Sequence, residues 1–209
     1  MKGPSIAVLD YGIGNLRSAT KALQRCGADA HLVTDSEAAE VAAGVVLPGV
    51  GAFGRCAEAL AAAGLAGVAA ETARRAADGG RPFLGICVGM QLLYERSEES
   101  PGVCGLGVLP GAVARLPDGV KRPQIQWNRL DVRPGARSLA GAGADSWVYF
   151  VHSYAPPPGP DVVATCDYGG PVTAAIERGS LWAMQFHPEK SSRTGLALLA
   201  NFVAACGDR

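Results

Sequence analysis

Residues 82–93 read "PFLGICVGMQLL". The run Pro82–Cys87 is short and apolar. That is the pattern of a strand buried on both faces. From Val88 the apolar spacing turns helical, and a helix is expected from Val88 to about Glu95. Cys87 sits at the corner, inside Gly85-x-Cys87-x-Gly89. This is the cysteine form of the Gly-x-Ser-x-Gly strand-to-helix turn that exposes a nucleophile. A turn that sharp strains the backbone of its central residue, and neighbours without Cβ atoms let the chain close. At a helix start, unpaired N–H groups and the helix dipole favour a thiolate, and the Val88 N–H faces any oxyanion formed beside the sulfur. A buried structural cysteine in a glycine-rich turn has the same local pattern, so more of the chain is needed to decide.

Working outward, the first half alternates short apolar strands with amphipathic helices. "SIAVLD" (Ser5–Asp10) reads as a strand. A helix follows with Leu16, Ala19, Leu23 and Cys26 on one face, stopped by Gly27. "ADAHLVT" (Ala28–Thr34) is a strand, and Asp35 or Ser36 caps a short helix through Ala43. "GVVLPG" (Gly44–Gly49) is a third strand. An Ala-rich helical stretch from Phe53 to Ala77 breaks near Gly64. This β-α-β-α order implies a parallel sheet covered on both faces. The second half is built of strands joined by Pro and Gly turns: "GAVARLP", "PQIQWNRLDV", "SWVYFVHSY", "VVATCDY" and "VTAAIERGSLWAMQF". "ERGS" reads as a hairpin turn between Val172–Glu177 and Leu181–Phe186. A last helix, from about Ser192 to Cys206, turns Leu196, Leu199 and Val203 inward. The expected class is α/β, a single domain over residues 1–209, with a mixed, mostly parallel sheet and an antiparallel second half.

Composition removes several functions. Lys+Arg and Asp+Glu balance at 19 each, which gives no basic surface for nucleic acid. The N-terminus lacks the pattern of a signal peptide, and uncharged apolar stretches such as Ala59–Ala70 are too short to span a bilayer. A cytoplasmic protein with no membrane role is expected. The six cysteines form no C-x-x-C pair and no histidine sits with them at metal spacing, so neither a metal nor a disulfide framework is expected.

A nucleophilic cysteine needs a base, and the base needs an orienting group. The chain has three histidines. His31, early in a strand, reads as structural or solvated. His152, in "FVHSY", can line a cleft. His187, in "MQFHPEKS", ends a strand, and Pro188 fixes the turn after it. In an extended turn Glu189 can face the same way as His187, accept from one ring N–H and leave the other nitrogen for the cysteine. "LPGVGAF" (Leu47–Phe53) places Gly49 and Gly51 after a buried strand, where backbone can approach a ligand. A dinucleotide loop fits it poorly, and no phosphate loop occurs elsewhere.

"PGVGAF", "GICVGMQLL" and "QFHPEKS", in that order, resemble the class I glutamine amidotransferases over nearly the whole chain. "DYGIGNLRS" (Asp10–Ser18), "PGVGAF" and "YFVHSY" resemble one branch, the glutaminase subunits of imidazole glycerol phosphate synthase in histidine biosynthesis. The resemblance implies a flavodoxin-like three-layer sandwich. It implies that Cys87 attacks the amide of glutamine, that His187 moves the protons and that Glu189 orients His187. The oxyanion would be held by Val88 and by backbone N–H groups in Gly49, Val50 and Gly51. Gln91, Ser153 and Tyr154 would hold the amino-acid end of the substrate. No cofactor is implied. The partner would be a cyclase subunit, a (β/α)8 barrel, joined as a heterodimer. It would use the ammonia to make imidazole glycerol phosphate and aminoimidazole carboxamide ribotide, and the isolated glutaminase would be nearly silent.

One segment departs from the pattern. The family reads Pro-His-Met-Gly-Trp-Asn where this chain has Pro123-Gln-Ile-Gln-Trp-Asn128, placing Gln124 and Gln126 at the His and Gly positions. Trp127, Asn128 and Lys190 are the expected partner contacts. Two alternatives stand beside this reading: the glutaminase of another class I amidotransferase, and a non-catalytic amidotransferase-like regulatory subunit.

Overall fold

The structure is a computed structural model and describes residues 3–143 and 145–207. Met1 and Lys2, part of the signal-peptide reading, and the last two residues of the expected domain lie outside it. In chain order the first half is β1 (Ser5–Leu9), α1 (Leu16–Arg25), β2 (Asp29–Val33), α2 (Ser36–Val41), β3 (Gly44–Gly49), α3 (Phe53–Ala62), α4 (Ala66–Ala77), β4 (Phe83–Cys87) and α5 (Val88–Gln91). The second half is β5 (Tyr94–Ser97), β6 (Leu109–Arg115), β7 (Gln124–Arg129), β8 (Asp131–Val132), β9 (Trp147–His152), β10 (Tyr154–Ala155), β11 (Val162–Asp167), β12 (Pro171–Arg178) and β13 (Leu181–Met184). A 3-10 turn, Pro188–Lys190, and α6 (Ser192–Gly207) close the chain.

Eight strands form the main sheet in the order β2-β1-β3-β4-β13-β12-β11-β8. The ladders from β2 through β13 are parallel, and those from β13 to β8 are antiparallel. The sheet is therefore mixed, as expected, with one refinement. β13 belongs to the second half of the sequence but joins the parallel set, beside β4. The hairpin turn at 179–180 reverses the chain so that β13 runs with β4 and carries His187 to the same end as Cys87. β5 and β6 also pair in parallel, in a small three-stranded sheet with β10.

The central strands β3, β4 and β13 are buried along their whole length, which requires cover on both faces. All five phenylalanines lie in this core, fully buried. Each such side chain contributes roughly 1.5–3 kcal/mol when withdrawn from water. Asp35 caps α2 by accepting the Ala38 N–H at 2.8 Å. Gly27 takes the positive φ of 93° that ends α1.

Two expected elements differ. The helix after Cys87 ends at Gln91, not near Glu95. Leu92 and Leu93 suit either period, and both are fully buried. Tyr94 starts a strand whose pairing with β6 outweighs continued helix. In α6 the buried apolar face is Leu198, Leu199, Phe202, Val203 and Cys206, and Leu196 is only partly covered. No single helix among the described residues is long and apolar enough to cross a membrane.

Candidate active site

The carboxyl ends of β3, β4 and β13 lie side by side. The register sets Gly49 opposite Cys87 and Ile86 opposite Met184. Cys87 has φ 55° and ψ −112°, in the region that side chains other than glycine rarely occupy. The strain is held by interlocked glycines. A Cβ on Gly89 would collide with the Leu47 carbonyl, and one on Gly49 would come within 2.7 Å of the Gly89 nitrogen. The steric reading of the corner is correct. Its electrostatic part needs revision. α5 has four residues, so a full helix dipole is not available to the sulfur, and what remains is the local set of unpaired N–H groups.

Cys87, His187 and Glu189 converge, although about half the chain separates the first from the others. Cys87 and His187 line the same cavity, and the thiol is near enough to favour the proton on the His187 ring. His187 Nδ1 lies 2.8 Å from Glu189 Oε1, with both side chains almost fully buried. Burial alone would lower the His187 pKa, but Cys87 and then Glu189 favour its proton and raise it to about 9. Burial pushes Glu189 up, and His187 outweighs it, so the carboxyl sits below its usual range. The backbone of the turn is pinned to β9. His187 N–H donates to Tyr149 O at 3.0 Å, and Ser191 Oγ donates to His187 O at 2.6 Å while accepting from Tyr149 N–H at 2.9 Å.

A cavity of about 370 Å³ opens on this group. Its lining includes Val50, Gly51, Val88, Gln91, Ser153, Tyr154 and Lys190, each anticipated from the sequence. Gln91 is buried, and its Nε2 donates to Tyr154 O and to Gln185 Oε1, each at 3.0 Å. Only its oxygen is left for a ligand. His152 also lines the cavity, and Nδ1 donates to the Tyr154 carbonyl at 2.8 Å. Burial drives the His152 pKa down to about 4, so the ring is neutral near pH 7. Its Nε2 faces the Gln124 side-chain amide at 3.0 Å, where an amide turned by 180° donates. Gln124 is therefore an internal residue, and Gln126 is exposed. His31 is solvated, as expected, 2.6 Å from Asp29.

Several residues escaped the sequence reading. Glu99 lines the cavity and accepts the Phe53 N–H at 2.7 Å. Tyr11 Oη donates to Pro48 O at 2.6 Å, and Cys56 Sγ donates to Val50 O at 3.2 Å, so two side chains grip the carbonyls of the Pro48–Gly51 segment. Gln185 Nε2 lies 3.7 Å from Cys87 Sγ. Alternation from His187 points to Gln185, because positions two apart on an extended segment share a face. Nothing local marks the other three.

The expected partner contacts sit on the β7–β9 ribbon and beside the cavity. Trp127 is exposed and stacks edge-on to Tyr149 with ring centres 6.0 Å apart. Ile125 and Trp147 are exposed on the same ribbon. Asn128 is half-buried and its amide donates to Asp167 O at 2.8 Å. Lys190 is exposed at the cavity rim. Among the described residues no cluster of three or more potential metal ligands occurs.

A buried thiol at positive φ, with a histidine and a carboxylate aligned behind it over a ligand-sized cavity, is the equipment of cysteine-based acyl transfer. The chain belongs to the class-I glutamine amidotransferase family, whose model matches residues 7–206. Within that family its relatives include an imidazole glycerol phosphate synthase subunit HisH from Methanothermobacter thermautotrophicus, 49% identical over 95% of this chain and 97% of the relative. The subunit of the same name from Deinococcus radiodurans is 46% identical over 95% and 93%. A solved glutamine amidotransferase superposes with a TM-score of 0.74 over 97% of this chain and 98% of its own, at 23% identity, a likeness of fold.

Proposed function

We propose that residues 1–209 form one glutaminase domain, the ammonia-producing subunit of an imidazole glycerol phosphate synthase. The observation that carries the reading is the Cys87–His187–Glu189 alignment at the cavity floor. Names carried by relatives similar over nearly the whole chain support the choice of synthase.

Glutamine enters with its side-chain amide toward Cys87. The sulfur attacks the amide carbon and its proton passes to His187, whose raised pKa suits it to hold that proton. The oxyanion is met by the Val88 N–H and by a backbone N–H of the Gly49–Gly51 segment. Cys56 takes the Val50 carbonyl from the core side, so the Gly51 N–H of the same peptide points the opposite way. Loss of one oxyanion donor costs about 2.7–4 kcal/mol in acyl-transfer enzymes. The C–N bond then breaks, His187 gives its proton to the leaving nitrogen, and ammonia departs. Water, deprotonated by His187, cleaves the thioester and releases glutamate. Glu99 supplies a negative charge for the substrate ammonium. Gln91 acts mainly by holding the Tyr154 carbonyl, with Ser153 beside it.

The ammonia passes to a (β/α)8-barrel cyclase subunit held as a heterodimer. There it completes imidazole glycerol phosphate and releases aminoimidazole carboxamide ribotide. Trp127 and Lys190 contact this partner, with Ile125 and Trp147 extending the surface. Asn128 supports the ribbon through Asp167. The deciding experiment is glutamate release by the chain alone, with the cyclase subunit of the same genome, and with that subunit plus its ribonucleotide substrate. Strong stimulation only in the full mixture is expected, abolished by Cys87→Ala. Equal activity in all three would overturn the pairing.

A further inference from the structure

Asn15 stands at the N-cap position of α1, where an asparagine side chain ordinarily accepts an N–H of the first helical turn. Here it makes no such bond. Its carbonyl starts the helix by accepting the Ala19 N–H at 3.0 Å, and the side chain reaches away from it. Asn15 Nδ2 donates to Glu189 Oε1 at 3.1 Å, across 174 residues of sequence. The same oxygen accepts from His187 Nδ1 at 2.8 Å. The other oxygen, Oε2, is buried with no hydrogen-bond partner among the described residues. A carboxylate so enclosed is stable as an anion only through the donors that reach it. Asn15 is one of two side chains that do.

We infer that Asn15 is a positioning residue for the reaction: it holds Glu189 with Oε1 aimed at His187 Nδ1, so that the other ring nitrogen stays on Cys87. The inference rests on the reading of His187 as the base. Loss of a local cap for a contact with the far end of the chain is the trade expected of a side chain placed for function and not for helix stability. The alternative is a loop fastener, in which Asn15 ties the segment after β1 to the turn after β13. The two roles differ in what they do to the charge of Glu189. The charged side chains on elements packed against this turn are Arg17, Lys21 and Arg25 of α1 and Arg193 of α6, with Lys190 in the turn itself. All are exposed to solvent. From β9 the ionisable neighbours are Tyr149 and His152, and His152 is neutral. No charge other than His187 takes the place of Asn15 in holding Glu189 ionised.

The test compares Asn15→Asp, Asn15→Ala and Asn15→Ser, each assembled with the cyclase subunit and its ribonucleotide substrate. The readout is the pH profile of glutamine hydrolysis, with melting temperature as a separate measure. Asn15→Asp replaces a donor by a second carboxylate beside Glu189. It should move the acid limb of kcat/KM up by about one pH unit or more. It should lower kcat about 10- to 100-fold with KM little changed, the scale seen for outer partners that orient metal ligands. Asn15→Ala should show a smaller shift in the same direction, and Asn15→Ser, which keeps a donor, should recover part of kcat. Folded variants with the wild-type acid limb and kcat would overturn the inference. So would unfolding of all three, which would make Asn15 a loop fastener. A parallel His187→Gln enzyme separates the failures: full activity there would remove the base itself, and the reading of Asn15 with it.

Discussion

Two regions a short distance apart are built on opposite rules. At the corner of β4 and α5, backbone is packed so tightly that Cβ atoms are excluded, and the polar side chains answer one another. On the β7–β9 ribbon, Ile125, Trp127 and Trp147 stand in solvent. Arg129 lies over the Trp147 ring, 5.7 Å from its centre, so even a charge there rests on an aromatic face. A reacting group must be held to fractions of an ångström, which demands burial and internal partners. A surface that joins another chain must stay incomplete until that chain arrives. If the ribbon is the partner surface proposed above, chemistry and coupling are separable by mutation in this molecule.

The largest effect should come from the first region. Cys87→Ala should cut glutamine hydrolysis by about 10⁴-fold or more, the scale of losing a nucleophile, with binding of the cyclase subunit retained in a pull-down titration. Gly89→Ala should break the corner itself. Its methyl meets the Leu47 carbonyl, a backbone atom that cannot step aside. A loss of about 3 kcal/mol, the upper range of overpacking penalties, is expected in denaturant titration. Wild-type stability with full turnover would show that the corner is looser than its geometry.

The ribbon should answer in the other currency. Trp127→Ala is expected to weaken cyclase binding by about 2 kcal/mol, the scale of an interfacial tryptophan, and to leave the melting temperature of the isolated chain nearly unchanged. Unchanged affinity measured by calorimetry would move the interface elsewhere. A further effect concerns pH. His187 binds its proton more tightly when folded, about 9 against 6.5 for the free side chain. The folded chain therefore holds more protons than the unfolded chain between those values, and stability must fall as pH rises through that window. The contribution is fully present below pH 6.5. Melting curves from pH 6 to 10 should show this decline, and His187→Gln should flatten it. Smallest of all, Val41→Ser, on the exposed side of α2, should change neither binding nor stability by more than about 0.5 kcal/mol.

The contrast also explains what could be read in advance. Gly85-x-Cys87-x-Gly89 declares itself because its requirement is steric and local. His187 and Glu189 are legible for the same reason, since Pro188 and a spacing of two bring them to one side. Trp127 is legible only through the likeness of Pro123–Asn128 to the family's segment, since its strand shows no alternation of buried and exposed positions. Asn15, Tyr11, Cys56 and Glu99 could not be found this way. Each acts on a backbone group or side chain supplied by a different element, and nothing within a few residues of Asn15 or Tyr11 sets it apart from an ordinary cap or core residue. The length of α5 failed for a third reason. Leu92 and Leu93 satisfy both periods, and only the distant partner strand β6 decides between them.

The insertion of β13 beside β4 has a consequence in time. The thiol is synthesised well before the middle of the chain, whereas its base and the orienting carboxylate come from the segment just before α6. A chain interrupted before β13 has the nucleophile and nothing to activate it. Completion of the sheet is therefore also the switch from a protein that merely contains a cysteine to one that can use it.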